Sequence, residues 1–114
     1  MSDCIFCKII EGAIPCRKVY EDDDCIAFHD ISPQMPVHIV VVSKKHLPSV
    51  LAFNEEDAQH LGRIQLAIAK IAKQQGLSEN GFRVINNCGK DAKQSVLHLH
   101  YHILAGGDMG EKIV

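Results

Sequence analysis

The stretch Leu97-His-Leu-His-Tyr-His-Ile-Leu-Ala105 decides the fold, because three histidines alternate in it with apolar or aromatic residues. Successive side chains of a β-strand point to opposite faces, so a strand places His98, His100 and His102 on one face. A helix would turn His100 away from the other two, and the branched and aromatic content also favours a strand. The opposite face is predicted to pack into the core through Leu97, Leu99, Tyr101 and Ile103.

Length and composition predict one globular domain over residues 1–114. The chain is 46% hydrophobic and 23% charged, and its net charge is −2 with histidine neutral. This balance gives no general attraction to nucleic acid or to anionic membranes, so neither is expected as a partner. The first residues lack the basic and apolar regions of a signal peptide, and no apolar run is long enough to span a membrane. We therefore expect a cytoplasmic protein.

The remaining pattern predicts an α+β fold with a mostly antiparallel sheet. A long helix capped by Asn54 is predicted from the 3,4,3 spacing of its apolar residues, and Gly76 is a natural stop. A second apolar strip on this helix suggests a homodimer and consists of Gly62, Leu66 and Ala69. The core stripe is formed by Leu61, Ile64, Ile68 and Ile71. The other predicted strands are Val19–Glu21, Cys25–His29, Val37–Ser43 and Phe82–Asn86, with Val37–Ser43 buried on both faces.

Five cysteines occur in the chain, and the first two form a Cys4-x-x-Cys7 pair. An odd number of cysteines in an intracellular type of sequence argues for reduced thiols, some of them on a metal, rather than for a disulfide framework. A short helix is predicted over the first apolar segment, Cys4–Ile10, and it places the pair one turn apart. A redox pair and ordinary buried thiols are the alternatives. The other three are expected to be buried thiols: Cys16, Cys25 and Cys88.

Three alternating histidines favour acid–base and nucleophilic chemistry over one shared metal. The outer two of three alternate strand residues lie about 13 Å apart, too far for Zn–N bonds of about 2.0–2.1 Å. A neutral imidazole can attack an electrophilic phosphorus or carbonyl carbon while a neighbouring imidazole gives up a proton. His100 is best placed as the nucleophile because an imidazole flanks it on each side. The loop before the strand offers neutral donors for phosphate oxygens: Asn87, Gln94 and Ser95.

Several motifs together resemble the nucleotide-binding branch of the histidine triad (HIT) family. The run His98-Leu-His-Tyr-His102-Ile-Leu104 is similar to the family signature, and the likeness extends over almost the whole chain. It also includes Gln94-Ser95, Phe28-His-Asp-Ile-Ser-Pro-Gln34, Pro36-Val-His38 and Lys44-Lys-His46. The resemblance implies a five-stranded antiparallel sheet with one long helix and a short N-terminal helix, which dimerises into a joined sheet.

The resemblance also implies hydrolysis or transfer at the α-phosphate of a purine nucleotide, through a nucleotidyl-histidine intermediate on His100. It assigns His102 to the leaving group, His38 and His98 to support of the phosphate and of the imidazole orientation, and Asp30 to the ribose hydroxyls. Gln94, Ser95 and Asn87 are implied in binding the phosphate or the scissile bridge. The purine wall is implied to consist of Ile5, Phe6, Ile9, Phe28 and Ile31. Core packing for Phe28 and Ile31, a turn role for Asp30 and a core role for His38 are the alternatives.

A structural zinc site is a further hypothesis. His46 follows one strand and His98 begins another, so both can reach the first segment and complete a tetrahedral Cys₂His₂ set with Cys4 and Cys7. Some bacterial HIT proteins resemble this arrangement. No cofactor is expected for the chemistry itself.

Two places depart from the nucleotide-binding branch. Ala92-Lys93 stands where a pair of glycines is usual, which leaves the approach of the loop backbone to phosphate open. The tail 105–114 lacks the basic residue and the tryptophan of some members, which leaves the choice of leaving group open.

The leading functional hypothesis is a purine nucleoside phosphoramidase or a hydrolase of AMP-lysine type substrates. A dinucleoside polyphosphate hydrolase is the neighbouring alternative. Two alternatives are not enzymes. One is a regulatory module that binds nucleotides without turnover, and the other is a small structural zinc protein.

Overall fold

The computed structural model describes residues 3–114, which form two α-helices and five β-strands. The helices are α1 (Ile5–Ile10) and α2 (Ala58–Gln74). The strands are β1 (Lys18–Glu21), β2 (Cys25–His29), β3 (Val37–Ser43), β4 (Arg83–Ile85) and β5 (His100–Ala105). These elements confirm the α+β prediction, with the long helix between the third and fourth strands.

The strands form one sheet in the order β1-β2-β3-β5-β4, and every neighbouring pair is antiparallel. The central strand β3 matches the predicted range 37–43, and its side chains from residue 38 onward are buried. Its two faces contribute to two separate apolar clusters, so the prediction of burial on both faces is confirmed.

Helix α2 covers one face of the sheet. Ile64, Ile68 and Ile71 are buried there, and Leu61 packs against the same core. A 3₁₀ turn over Glu55–Asp57 precedes the helix, and the backbone N–H of Asn54 donates to the Asp57 carboxylate at 3.2 Å. The helix ends at Gln74, where Gly76 adopts a φ of 74° that suits glycine.

Helix α1 packs on the opposite face of the sheet. Phe6 and Ile9 are its buried residues, and they join Ile26, Phe28, Val40 and Val42 in a second cluster. Three histidines near this face are buried: His38, His98 and His100. Phe6 of α1 contacts His98 and His100, so the candidate site lies on the face that α1 covers.

The histidine strand is shorter than predicted. Strand β5 begins at His100, because the backbone N–H of His98 donates to the Val96 carbonyl in a bend and that of Leu99 donates to Leu47. Leu97 therefore lies outside the strand and is 67% exposed, so its prediction as a core residue was wrong. Leu99, Tyr101 and Ile103 are buried as predicted.

Two other predictions need adjustment. Strand β4 covers Arg83–Ile85 rather than 82–86, and Phe82 is 39% exposed. Of the three cysteines expected to be buried, Cys25 is fully buried, whereas Cys16 and Cys88 are only partly so.

Asp24 connects the β1–β2 turn to helix α2. Its carboxylate accepts from Arg63 Nε at 2.7 Å and lies 3.0 Å from His60 Nδ1. Hydrogen bonding to the Arg63 guanidinium, and then to His60, lowers the pKa of Asp24 from 3.8 to about 2. A carboxyl with a lowered folded-state pKa stabilises the fold above its unfolded-state pKa, and this contribution is lost as pH falls through the folded-state value.

Asp24→Asn is therefore expected to lower the free energy of unfolding at neutral pH by about 1 kcal/mol. The difference from the unsubstituted protein should shrink as pH falls from about 4 towards 2. Urea unfolding of metal-free protein across this pH range checks it. Asp23→Asn, an exposed change in the same turn, is the control. A difference that persists undiminished at pH 2 would contradict the ion-pair explanation.

Candidate active site and metal centre

Three histidines lie on the sheet face that carries α1. In the ladder between β3 and β5, His100 lies opposite Val42 and His102 opposite Val40, while His38 lies two pairs further along, opposite Leu104. The rings of His100 and His102 are 5.2 Å apart, and those of His38 and His102 are 5.1 Å apart. The alternation within β5 puts His100 and His102 on one face, and the pairing of β5 with β3 brings His38 to them.

The orientation of His100 is fixed by its backbone neighbours. Its Nδ1 lies 2.7 Å from the carbonyl oxygen of His98. Because a carbonyl only accepts, Nδ1 must carry the proton, and the lone pair of neutral His100 is therefore on Nε2. The ring is 4.9 Å from Phe6 in an edge-on contact, and the residue is 4% exposed. These contacts present one nucleophilic nitrogen in a fixed direction.

A second hydrogen-bond chain fixes His102. The backbone N–H of Gln34 donates to His38 Nδ1 at 3.0 Å, so the proton of neutral His38 is on Nε2. That nitrogen lies 2.9 Å from His102 Nδ1 and donates to it. His102 therefore carries its own proton on Nε2, where it can donate to a bound group.

Burial favours the neutral form of the histidines. It lowers the pKa of His100, although the hydrogen bond to His98 opposes the shift. It also lowers the pKa of His102 to about 4, with the charges of His100 and His38 adding to the effect. Nucleophilic attack requires a neutral imidazole, so the environment keeps these rings in the reactive form near neutral pH.

The four residues predicted for zinc converge. The ligand atoms of Cys4, Cys7, His46 and His98 all lie within 4.8 Å of one another. His98 Nδ1 is 3.3 Å from Cys4 Sγ and 3.6 Å from Cys7 Sγ, and His46 Nδ1 is 3.2 Å from Cys7 Sγ. Tetrahedral bonds of usual length around zinc separate sulfur and nitrogen ligands by about 3.5 Å. The spacing fits a Cys₂His₂ zinc site.

The hydrogen bonding of His98 also fits a metal. Its Nε2 lies 2.6 Å from the Ser43 carbonyl and must donate to it, so the lone pair on Nδ1 faces the thiols. Burial lowers the pKa of His98, which favours the neutral ligand form. Cys4 is the N-cap of α1, and its Sγ accepts from the N–H of Cys7, which fixes the pair one turn apart.

Asp30, His38 and His102 form another group whose ligand atoms lie close together. This set does not suit a cation. His38 Nε2 carries a proton and donates a hydrogen bond to the lone pair of His102 Nδ1, so neither nitrogen has a lone pair left for a metal ion.

His98 therefore contacts His100 through its backbone carbonyl and not through its ring. Both ring nitrogens are directed to Ser43 and the thiols, while the backbone carbonyl holds His100. A residue that sequence reasoning missed has a related role. Asn86 donates from Nδ2 to the His100 carbonyl at 2.9 Å. Only its position one residue before the predicted Asn87 could have drawn attention to it.

The residues predicted for the purine wall fall into two groups. Phe6, Ile9 and Phe28 are buried in the second cluster, with the rings of Phe6 and Phe28 6.0 Å apart. Ile5 is 46% exposed and Ile31 is 98% exposed, so Ile31 is not a core residue. Three of the five predicted wall residues thus belong to the apolar cluster beside His100, and the other two, Ile5 and Ile31, are exposed.

Asp30 has the turn role that was the alternative to ribose binding, and it also approaches His38. One carboxylate oxygen accepts from the N–H of Ser32 at 2.7 Å, as in a turn, and the other lies 3.5 Å from His38 Nε2. The carboxylate remains 21% exposed.

The loop before β5 differs from its predicted role at one residue. Gln94 was predicted to bind phosphate, but its Nε2 donates to Pro48 and Val96 and its Oε1 accepts from the N–H of Gly89. Its side chain thus holds the loop closed. Ser95 is exposed and Asn87 is partly so. Lys93 adopts a φ of 59°, so the backbone keeps a left-handed conformation where a glycine is usual in the resembling branch.

The fold and the site together define a class: a small α+β protein that presents oriented, buried imidazoles on one face of an antiparallel sheet. Comparisons with known proteins agree. A family model described as "Scavenger mRNA decapping enzyme C-term binding" matches residues 3–112. The purine nucleoside phosphoramidase of Escherichia coli K12 is 44% identical over 108 residues, which is 95% of this chain and 91% of the relative.

Solved structures give the same result. A HIT family hydrolase from Clostridium thermocellum superposes with a TM-score of 0.96 at 46% identity, covering 100% of this chain and 99% of that one. A histidine triad protein from Clostridium difficile gives 0.93 at 51% identity, covering 98% and 97%. The chain belongs to the histidine triad family and is a hydrolase of that family. No helix within residues 3–114 has the length and apolar character needed to cross a membrane.

Proposed function

We propose that this protein hydrolyses purine nucleoside 5′-phosphoramidates or AMP-lysine type substrates through a nucleotidyl intermediate on His100. The hydrogen bond from His100 Nδ1 to the His98 carbonyl, 2.7 Å long, carries the proposal. It leaves the Nε2 lone pair as the attacking group. The E. coli relative named purine nucleoside phosphoramidase supports the choice of substrate class.

The reaction takes two displacements. His100 Nε2 attacks the α-phosphorus, an N–P bond forms and the bond from phosphorus to the leaving amine breaks. Water then attacks phosphorus and releases His100. Over the cycle one water is consumed: its hydroxyl goes to phosphorus and its proton to the amine. His102 assists the departing nitrogen by donating a hydrogen bond from Nε2, and the chain from His38 keeps that proton in place.

Substrate binding is assigned to the surroundings of the histidines. The exposed oxygen of the Asp30 carboxylate would accept from the ribose hydroxyls, and Ser95 and Asn87 would donate to phosphate oxygens. The purine would lie against Ile5, Phe6, Ile9, Phe28 and Ile31. Gln94 would act indirectly, by closing the loop that carries Ser95.

A structural zinc ion bound by Cys4, Cys7, His46 and His98 is part of the proposal. The ion would supply folding energy and no step of the reaction. The two thiol ligands must stay reduced to bind the ion, which suits a reducing compartment and supports a cytoplasmic location.

We also propose a homodimer. Gly62, Leu66 and Ala69 are exposed on α2, with Leu66 64% exposed. The edge strand β4 adds Val84, which is 40% exposed. A second copy would cover this apolar surface and join the two sheets.

The test is to mix the protein with adenosine phosphoramidate, quench, and search by mass spectrometry for an adenylyl group on His100. The expected result is a transient adduct on this residue alone. A dinucleoside polyphosphate in a parallel reaction examines the neighbouring alternative, which predicts faster turnover of that substrate. AMP binding without adduct or turnover would overturn the proposal in favour of a regulatory module.

A further inference from the structure

We propose that Cys4 and Cys7 form a thiol switch, in which a peroxide-class oxidant joins them as a disulfide and thereby disorders the nucleophile His100. The effect on catalysis rests on the proposed function of His100. The oxidation and its structural consequence rest on the proposed zinc site and not on the chemistry of His100.

The first observation is the position of the two thiols. Cys4 and Cys7 are partly exposed and lie within 4.8 Å of each other across one helical turn, beside the exposed His46. Thiolates that a small oxidant can reach are the ones that oxidise. The buried Cys25 differs, because burial raises the pKa of its thiol to about 12.

The second observation is that His98 belongs to both sites. Its Nδ1 faces Cys4 and Cys7, while its carbonyl oxygen holds the Nδ1 proton of His100. A disulfide requires the two sulfurs to approach to about 2.05 Å. Sulfurs bonded to each other no longer bind a metal with His98, so the ring loses its Nδ1 partners and is held by the Ser43 carbonyl alone.

The third observation is the position of Phe6 between the two cysteines. Its ring contacts His98 at 5.9 Å and His100 at 4.9 Å. Helix α1 has six residues, so a change in the geometry of its first turn also moves Phe6. Oxidation would therefore reach His100 through both its carbonyl partner and its packing partner.

The oxidation balances with hydrogen peroxide as the oxidant. The two thiolates lose two electrons, an Sγ–Sγ bond forms and the O–O bond breaks. Each oxygen leaves as water with protons from solvent, and the divalent ion is released. A dithiol reductant and added zinc reverse the step.

The experiment uses the full zinc-loaded chain carrying Cys16→Ser and Cys88→Ser, so that Cys25 is the one remaining thiol outside the pair. Hydrogen peroxide is added stepwise while a chromogenic chelator follows zinc and peptide mapping follows the disulfide. NMR follows the His100 Nδ1 proton, and kcat and AMP affinity are measured on the same samples. Cys4→Ser, in the same background, cannot form the disulfide but also lacks one of the proposed zinc ligands. It is therefore compared only with itself before and after peroxide, and its His100 Nδ1 signal and kcat should not change on treatment.

We expect zinc release and the Cys4–Cys7 disulfide to rise together, with loss of the His100 Nδ1 signal and a fall in kcat of about 10²-fold. Reductant and zinc should restore all four readouts. Zinc release with an unchanged His100 signal would overturn the proposal, as would a loss of activity that precedes the disulfide. If the untreated protein has no phosphoramidate turnover, the proposed function fails, while the disulfide and the NMR signal still decide the switch.

Discussion

Replacing His100 by alanine is expected to lower kcat for adenosine phosphoramidate by at least about 10³-fold, since the variant has no nitrogen to form the covalent intermediate. KM should change little, because Asp30 and the purine wall are untouched. Steady-state kinetics with AMP binding by calorimetry separates these two effects. The binding measurement also shows that the variant is folded.

His29→Ala is the matched control for this variant. His29 ends strand β2 but lies one position beyond Phe28, on the opposite face of the sheet from the triad. Its removal should leave turnover within about twofold, as is usual for a change away from a site. An alanine variant at His100 with undiminished turnover would show that another group attacks phosphorus.

The fold was largely predictable because the spacing of apolar residues shows which side chains of each element face the core. The 3,4,3 spacing of Ile64, Ile68 and Ile71 predicted the buried stripe of α2, and the run 37–43 predicted the central strand. The end of a strand is harder to predict, because it depends on partners. Leu97 has the residue type of a core position but lies in a bend.

The sequence predicted which residues belong to the candidate site better than it predicted which atoms of those residues contact each other. The sequence shows His98 between two possible roles, but it does not show that the ring and the carbonyl of one residue act in different directions. Gln94 and Asn86 are similar cases. Each has a polar side chain near the start of β5, and the sequence does not say what that side chain contacts. The structure shows that Gln94 bonds within the loop before β5 and that Asn86 donates to the His100 carbonyl.

Ser43 shows the same limit. Its carbonyl holds His98, and its hydroxyl donates to Lys45 and contacts His60, which in turn lies against Asp24. Nothing in the spacing of these residues along the chain predicts the connection, since it joins the end of one strand to a helix and to a distant turn. Through these contacts, residues on the face covered by α2 hold His98 on the other face.

Removal of zinc is expected to lower the free energy of unfolding more than any of the substitutions proposed above. Binding to the folded state alone stabilises it by RT ln(1 + [L]/Kd), which is about 4 kcal/mol when free zinc is about 1,000 times Kd. For a domain of this size, this corresponds to a fall in Tm of roughly 15 °C. Thermal unfolding with zinc and after a strong chelator measures the difference, and metal analysis should find one zinc for each chain.

Cys7→Ser should abolish the dependence of Tm on zinc, whereas Cys16→Ser should keep it. Each substitution replaces a partly buried thiol by a hydroxyl. Cys16, however, packs against the second apolar cluster and does not belong to the metal group. The comparison thus separates loss of a ligand from loss of packing. Equal sensitivity to zinc in both variants, or protein without zinc that melts at the same temperature, would contradict a structural metal. It would leave Cys4 and Cys7 as a thiol pair that holds α1 beside His98 by packing and hydrogen bonding alone.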